Sequence, residues 1–219
     1  MKSAEQRMED EARFNELMYF CGDPEGDAQA VKDIFQLGDE KQFDSSGCTL
    51  LHLAAEVNNV KVLEYLISQV PNIDLPSNQN SVTPLGYAAW SNSIDAARLL
   101  IKAGANLNTK FFGDQTSLHL AAQHDRPEMI RLLVEAGADI ESMNSAHQSP
   151  LHEACSSFAL ESAIELHRLG ADISARDAHQ KKPEDYCAPF KAHLVAQEIE
   201  QSMQIESAPS KKTTNLSPF

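Results

Sequence analysis

Thr116-Ser-Leu-His-Leu-Ala-Ala122 is written four times in this chain with small edits: the other copies are Thr49-Leu-Leu-His-Leu-Ala-Ala55, Thr83-Pro-Leu-Gly-Tyr-Ala-Ala89 and Ser149-Pro-Leu-His-Glu-Ala-Cys155. Their first residues are 34, 33 and 33 apart. A fixed interval of this size marks a stacked array, in which each unit is too small to close a core of its own and buries its apolar face on its neighbours.

The unit from Thr116 to Gln148 reads most plainly. Thr116 is a good N-cap, and the sister copies place Pro84 and Pro150 at the next position, where a missing N–H costs little. A short first helix comes next, with Leu118, Ala121 and Ala122 at helical spacing, and the two alanines let a neighbouring helix come close. Asp125, Arg126 and Pro127 interrupt it. A second helix starts near Pro127, gathers Met129, Ile130, Leu132 and Leu133 on one face, and ends at Gly137, the residue best suited to a left-handed C-cap. Gly104 and Gly170 keep the same distance from their own caps. Helices this short are marginal alone, so stacking must supply the missing burial.

Thr-x-Leu-His-x-Ala-Ala, a second apolar helix, Gly-Ala-Asp/Asn and a polar return to the next Thr resemble the ankyrin repeat over about residues 46–180. The resemblance implies an all-α solenoid of helix–turn–helix units, with hairpin fingers along one edge and first helices lining a concave groove. It implies protein binding and no catalysis. We read four clear repeats near 46–80, 81–113, 114–146 and 147–180, a degenerate repeat over 13–45 after an acidic extension at 1–12, a cap over 181–200 and a disordered tail over 201–219. Within 13–45, Leu17-Met18 and the run from Val31 to Gly38 stand for two helices, with the acidic turn Gly22 to Asp27 between them. In the cap, Glu184 stands where the repeats carry an apolar leucine.

Charge narrows the partners. The chain carries 32 acids against 18 bases, net −14, and half of that excess lies in residues 1–44. Phosphate binding needs a basic stripe that is missing here, so nucleic acid is not an expected partner. No run approaches a membrane span, and the start of the chain does not read as a secretion leader. The four cysteines have no Cys-x-x-Cys spacing, so reduced thiols in a cytoplasm are expected. Another protein, bound by a monomer without cofactors, is the expected partner.

The repeats break their own pattern in informative places. Gly86 replaces the histidine found at 52, 119 and 152, at a helix position where glycine costs about 1 kcal/mol relative to alanine. Trp90, the only tryptophan, lies close by, and the next finger carries Phe111-Phe112 where others carry Ser45-Ser46, Asn78-Gln79 and Ser145-Ala146. Large aromatics concentrate binding energy. The expected contacts are therefore Trp90, Phe111 and Phe112, with Phe112 the more exposed of the pair, together with Glu56, Gln115, His124, Gln148 and Ser157 by repeat position. The alternative is that Trp90 packs between repeats and one Phe folds under the finger. Gln69-Val70-Pro71 replaces Gly-Ala, which stops the preceding helix by Gln69, and its lengthened connection is read as the source of the 34-residue step. The apolar residues Ala163, Ile164, Leu166 and Leu169 are displaced by one place, so a distorted helix starting near Leu160 or Glu161 is expected.

Chemistry finds little support. His152-Glu-Ala-Cys155 could put two ligands on one helical face, but all three histidines share one structural position, where the resemblance gives the ring the task of tying the helix start to the hairpin. No nucleophile elbow, Walker or dinucleotide motif occurs. An enzyme centred on Cys21 in the first 45 residues would have too short a domain. Asn108 resembles substrates of asparaginyl hydroxylation, with turn chemistry as its plainer role. The tail resembles C-terminal signals of bacterial effectors, which would place the protein in a host cytosol.

Overall fold

The computed structural model describes residues 4–35, 44, 47–77 and 80–193, and within them the chain is helical without strands. Helices come in antiparallel pairs: α1 (Ala4–Cys21) with α2 (Ala28–Ile34), α3 (Leu50–Glu56) with α4 (Val60–Gln69), α5 (Pro84–Ser91) with α6 (Ile94–Lys102), α7 (Ser117–Gln123) with α8 (Pro127–Glu135), and α9 (Pro150–Ser156) with α10 (Leu160–Arg168). First helices pack on first helices and second on second, so the pairs form a stack.

Small side chains set the spacing. Ala54 and Ala55, Ala88 and Ala89, Ala121 and Ala122, and Ala154 with Cys155 are fully buried where first helices meet. The second helices contribute Val62, Leu63 and Leu66; Ala96, Ala97 and Leu100; Met129, Ile130 and Leu133; and Ala163 and Leu166. One apolar core runs from Phe14 to Phe190 without a break. The C-terminal closure shares it: Cys187 and Phe190 are buried behind the 3₁₀ turn Pro183–Asp185. In that turn Asp185 accepts the backbone N–H of Lys182 at 2.9 Å, doing with a carboxylate what the repeats do with an imidazole.

That imidazole bond is the recurring device. The backbone N–H of Thr49 donates to His52 Nδ1 at 3.1 Å, that of Thr116 to His119 Nδ1 at 3.2 Å, and that of Ser149 to His152 Nδ1 at 3.3 Å. Nδ1 is thus an acceptor, which leaves the proton on Nε2. Nε2 then donates to a carbonyl in the following finger: Val82 at 2.9 Å, Gln148 at 3.1 Å and Lys181 at 3.2 Å. Each ring starts a helix and ties it to the next repeat. Further ties cross the stack from Ala96 N–H to Asn58 and from Ser162 N–H to Asp125, and Glu165 receives both Arg131 and Arg168.

The landmarks hold with three corrections. The second helices end at Gly104, Gly137 and Gly170, all with positive φ, while α4 stops at Gln69 before extended Val70. The extra residue of the 34-residue step is not in the Gln69–Pro71 connection: Leu66, Ile73 and Ser77 keep the spacing of Leu100, Leu107 and Phe111, and the finger closes from Ser77 to Val82 where its neighbour closes from Phe111 to Gln115. The insertion lies in the finger. Helix α10 is not distorted; it has the nine residues of α6 and α8, and the apparent shift arises because polar Ser162 occupies a fully buried place. At the N-terminus α1 runs unbroken through residue 12, so the acidic segment is part of a helix rather than an extension from it. The expected tail lies outside the described residues.

Burial lowers the pKa of His52 and His119 from 6.5 to about 4. Between those values the unfolded chain takes up a proton that the folded chain refuses. Their contribution is complete above pH 6.5 and is lost as pH falls toward 4, by up to about 1.4 kcal/mol per histidine per pH unit. Urea midpoints should therefore fall between about pH 7.5 and about pH 5, and the fall should shrink when His52 and His119 are changed to Gln. An undiminished slope in that variant would assign the pH dependence to other groups.

Candidate functional site

The site begins with a paired substitution. In three other fingers a polar side chain at the base folds back on the hairpin: Asn144 Oδ1 accepts the N–H groups of Ala146 and Gln148 at 2.9 and 3.0 Å, Asp177 Oδ1 those of His179 and Lys181 at 2.8 and 3.0 Å, and Asp44 Oδ1 that of Cys48 at 2.7 Å. Phe111 occupies this station, its N–H closing the hairpin on the Gln115 carbonyl at 2.8 Å. Its side chain can accept nothing and turns inward. There it meets Gly86, where a Cβ would come within 2.8 Å of the Phe111 ring and 2.6 Å of Val82. The imidazole missing from helix α5 and the polar side chain missing from the finger are one change, with the ring taking the place of both.

Beside this plug lies a groove of about 320 Å³, lined by Asn80, Val82, Phe111, Phe112 and Gln115 from the fingers, by Tyr87 and Trp90 from helix α5, and by Leu120 from helix α7 with His124 at its end. Trp90 is 45% exposed and Phe112 82%. Their neighbours orient them: the Trp90 ring lies 6.1 Å from Tyr87 edge-on and 5.8 Å from His124 at a tilt. Tyr87 is fixed in turn by His52, 5.2 Å away, and by the Cys48 thiol, which donates to its oxygen at 3.0 Å. The tip carrying Phe112 is held on both sides, by its N–H on the Asn80 carbonyl at 3.2 Å and by the Ser145 N–H on the Gly113 carbonyl at 2.9 Å. Gly113, with φ +76, permits the turn.

No Asp, Glu, Lys or Arg lines the groove. Burial, and then the nearby Arg126 charge, push the His124 pKa below its ordinary value. Burial raises Tyr87 to about 12. Glu56, at the station of Trp90 one repeat earlier, is half-buried and its carboxyl is raised by burial and by the like charge of Asp44.

Of the residues expected to make contacts, Trp90, Phe112, Gln115 and His124 come together here. Phe111 does not offer a contact surface: it is 6% exposed, because it stands at the base of the finger and not at its tip. Glu56 stands at the end of the neighbouring helix α3, one repeat before Trp90, and like Gln148 and exposed Ser157 it lines no part of the groove. Tyr87, Asn80, Val82 and Leu120 were missed by sequence reasoning. Tyr87 had a signal, since it stands where the sister helices have Leu53, Leu120 and Glu153 and shares a helical face with Trp90.

The ligand pair read at His152 and Cys155 does not come free for a metal ion. Both ring nitrogens of His152 are engaged, and Cys155 is fully buried with its thiol pKa raised by that burial. No group of three or more His, Cys, Asp or Glu side chains there could hold a metal ion. Asn108 has a structural partner, its Oδ1 accepting the Asp139 N–H at 2.9 Å.

A family model described as ankyrin repeats (3 copies) matches residues 17–111 and 106–177. Among curated proteins the chain is similar to ankyrin repeat and SOCS box protein 3 of Bos taurus, 38% identical over 78 residues, which is 34% of this chain and 15% of that protein. It is 35% identical over 68 residues to a putative ankyrin repeat protein of Rickettsia felis, 31% of this chain and 22% of the relative. With the nuclear factor NF-kappa-B p105 subunit of Gallus gallus it shares 31% over 103 residues, 45% of this chain and 10% of the relative. The matches thus span less than a quarter of each of these relatives.

The Gly86–Phe111 pairing predicts a coupled double-mutant cycle. Gly86→His alone should clash with the ring, at about 1–3 kcal/mol, and Phe111→Asp alone should empty the plug, at about 3–5 kcal/mol. Together they rebuild the polar tie of the other repeats, so the double variant should be more stable to urea than either single one. Additive losses would show that the two positions do not share a space.

Proposed function

Because the chain belongs to the ankyrin repeat family, whose members generally bind other proteins, we propose that it is a non-catalytic docking module that captures a partner protein at the groove between α5 and α7. The observation that carries this reading is the exposure of Trp90 and Phe112 on rigidly held backbone. Both rings stand in solvent beside a preformed concavity, whereas the large apolar side chains of the stack are otherwise mostly inside. Preformed backbone loses little entropy on binding, so contact area converts to affinity efficiently. Gln115 and His124 supply polar contacts in the groove, and Glu56, Gln148 and Ser157 extend the surface along the stack. The four cysteines are free and buried, which suits a reducing compartment such as the cytoplasm. Among the described residues no helix is long and apolar enough to cross a membrane.

The test is affinity purification with mass spectrometry, comparing the native chain with Trp90→Ala/Phe112→Ala. The double variant should lose the specific partner while its melting temperature shifts by no more than about 2 °C, since both rings are largely outside the core. Undiminished capture would place the interface elsewhere, and a large fall in melting temperature would assign the rings to packing.

A further inference from the structure

The uncharged aromatic walls of the groove and the acid beside it select among partners. Tyr87 and Trp90 meet edge-on, Trp90 and His124 at a tilt, and Phe112 lines the same concavity, so the rings do not stack shut. Aromatic faces carry negative potential and attract cations, arginine most often. The protein uses this contact internally, with Lys32 over Tyr65 and Lys181 over Tyr186, yet among the described residues no lysine or arginine covers Tyr87, Trp90 or Phe112. Glu56 stands on α3 at the station of Trp90 one repeat earlier, its backbone carbonyl accepting the Ser93 hydroxyl at 2.6 Å, and it has no cationic partner among the described residues. The Arg126 charge acts on His124 and not on Tyr87. Net charge of −14 sets the long-range field in the same sense as Glu56.

We propose that the groove receives an arginine side chain from a basic segment of the partner, its guanidinium against Tyr87 and Trp90 beneath Phe112 and facing Glu56. The assignment rests on the docking reading above and specifies its ligand. Arginine fits better than lysine because its planar, weakly hydrated head can lie on a ring while still donating to a carboxylate. An apolar side chain would gain the rings but leave Glu56 without a counter-charge.

Trp90 is the only tryptophan, so its fluorescence reports the site directly in the full-length chain. The probes are short Gly/Ser peptides bearing arginine, lysine, leucine or glutamate, titrated to millimolar concentration. The arginine peptide should change Trp90 emission saturably and about tenfold more tightly than the leucine peptide, with lysine between them. Its binding should weaken several-fold in Glu56→Gln and at high salt, and about tenfold in Phe112→Ala, both variants melting as the native chain does. Equal or tighter binding of the leucine peptide overturns the cationic assignment, and so does the absence of a saturable change with every peptide. Either result leaves the docking reading to stand or fall on partner capture by the Trp90→Ala/Phe112→Ala variant.

Discussion

The structure depends on an imidazole that bridges two backbones. In three repeats the ring accepts an N–H from the residue that starts its own helix and donates to a carbonyl of the finger that starts the next. A charged ring could not do this, because a protonated Nδ1 would face a donor with another donor. Burial enforces the neutral form at His52 and His119. The bond thereby fixes both the onset of each first helix and the distance to its neighbour. With that distance fixed, residues one repeat apart stand side by side, as Glu56 and Trp90 do.

Repeat two lacks the imidazole and is built differently. Without a side chain at Gly86 the finger base needs no polar partner, and Phe111 can fold into the vacant space. The ring caps the inside of the finger and leaves the next residue, Phe112, to point outward. Tyr87, still braced by the His52 ring and the Cys48 thiol of the preceding repeat, forms one wall, and Trp90 with His124 the other. The groove arises at the single junction where the polar tie is replaced by an apolar plug. Fold and candidate site therefore have a common cause in one glycine and one phenylalanine.

The scaffold was legible because its landmarks are local. An N-cap threonine, paired alanines and a glycine at the helix end each act within a few residues and recur in phase, so Gly104, Gly137 and Gly170 stand where their spacing placed them. The site was legible only in part, because it depends on contacts between repeats. The greater exposure of Phe112 was expected from the sequence, but what holds Phe111 inside, the space left at Gly86, is distant in sequence. Pro71 drew the 34-residue insertion to itself, since a proline is a visible interruption, whereas the added residue sits in a polar finger that closes one residue later than its neighbour. Ser162 concealed the regularity of α10 because a buried serine looks like an exposed one in a hydrophobic pattern. Tyr87 lay inside the repeating line and was read as scaffold.

The most direct test of the account is amide hydrogen exchange on the full chain, free and saturated with its purified partner. Exchange should slow over residues 80–91 and 111–124, which hold the groove and the finger above it, with little change in the second helices α4, α6, α8 and α10. Protection confined to those second helices, with the groove exchanging as in the free protein, would contradict it.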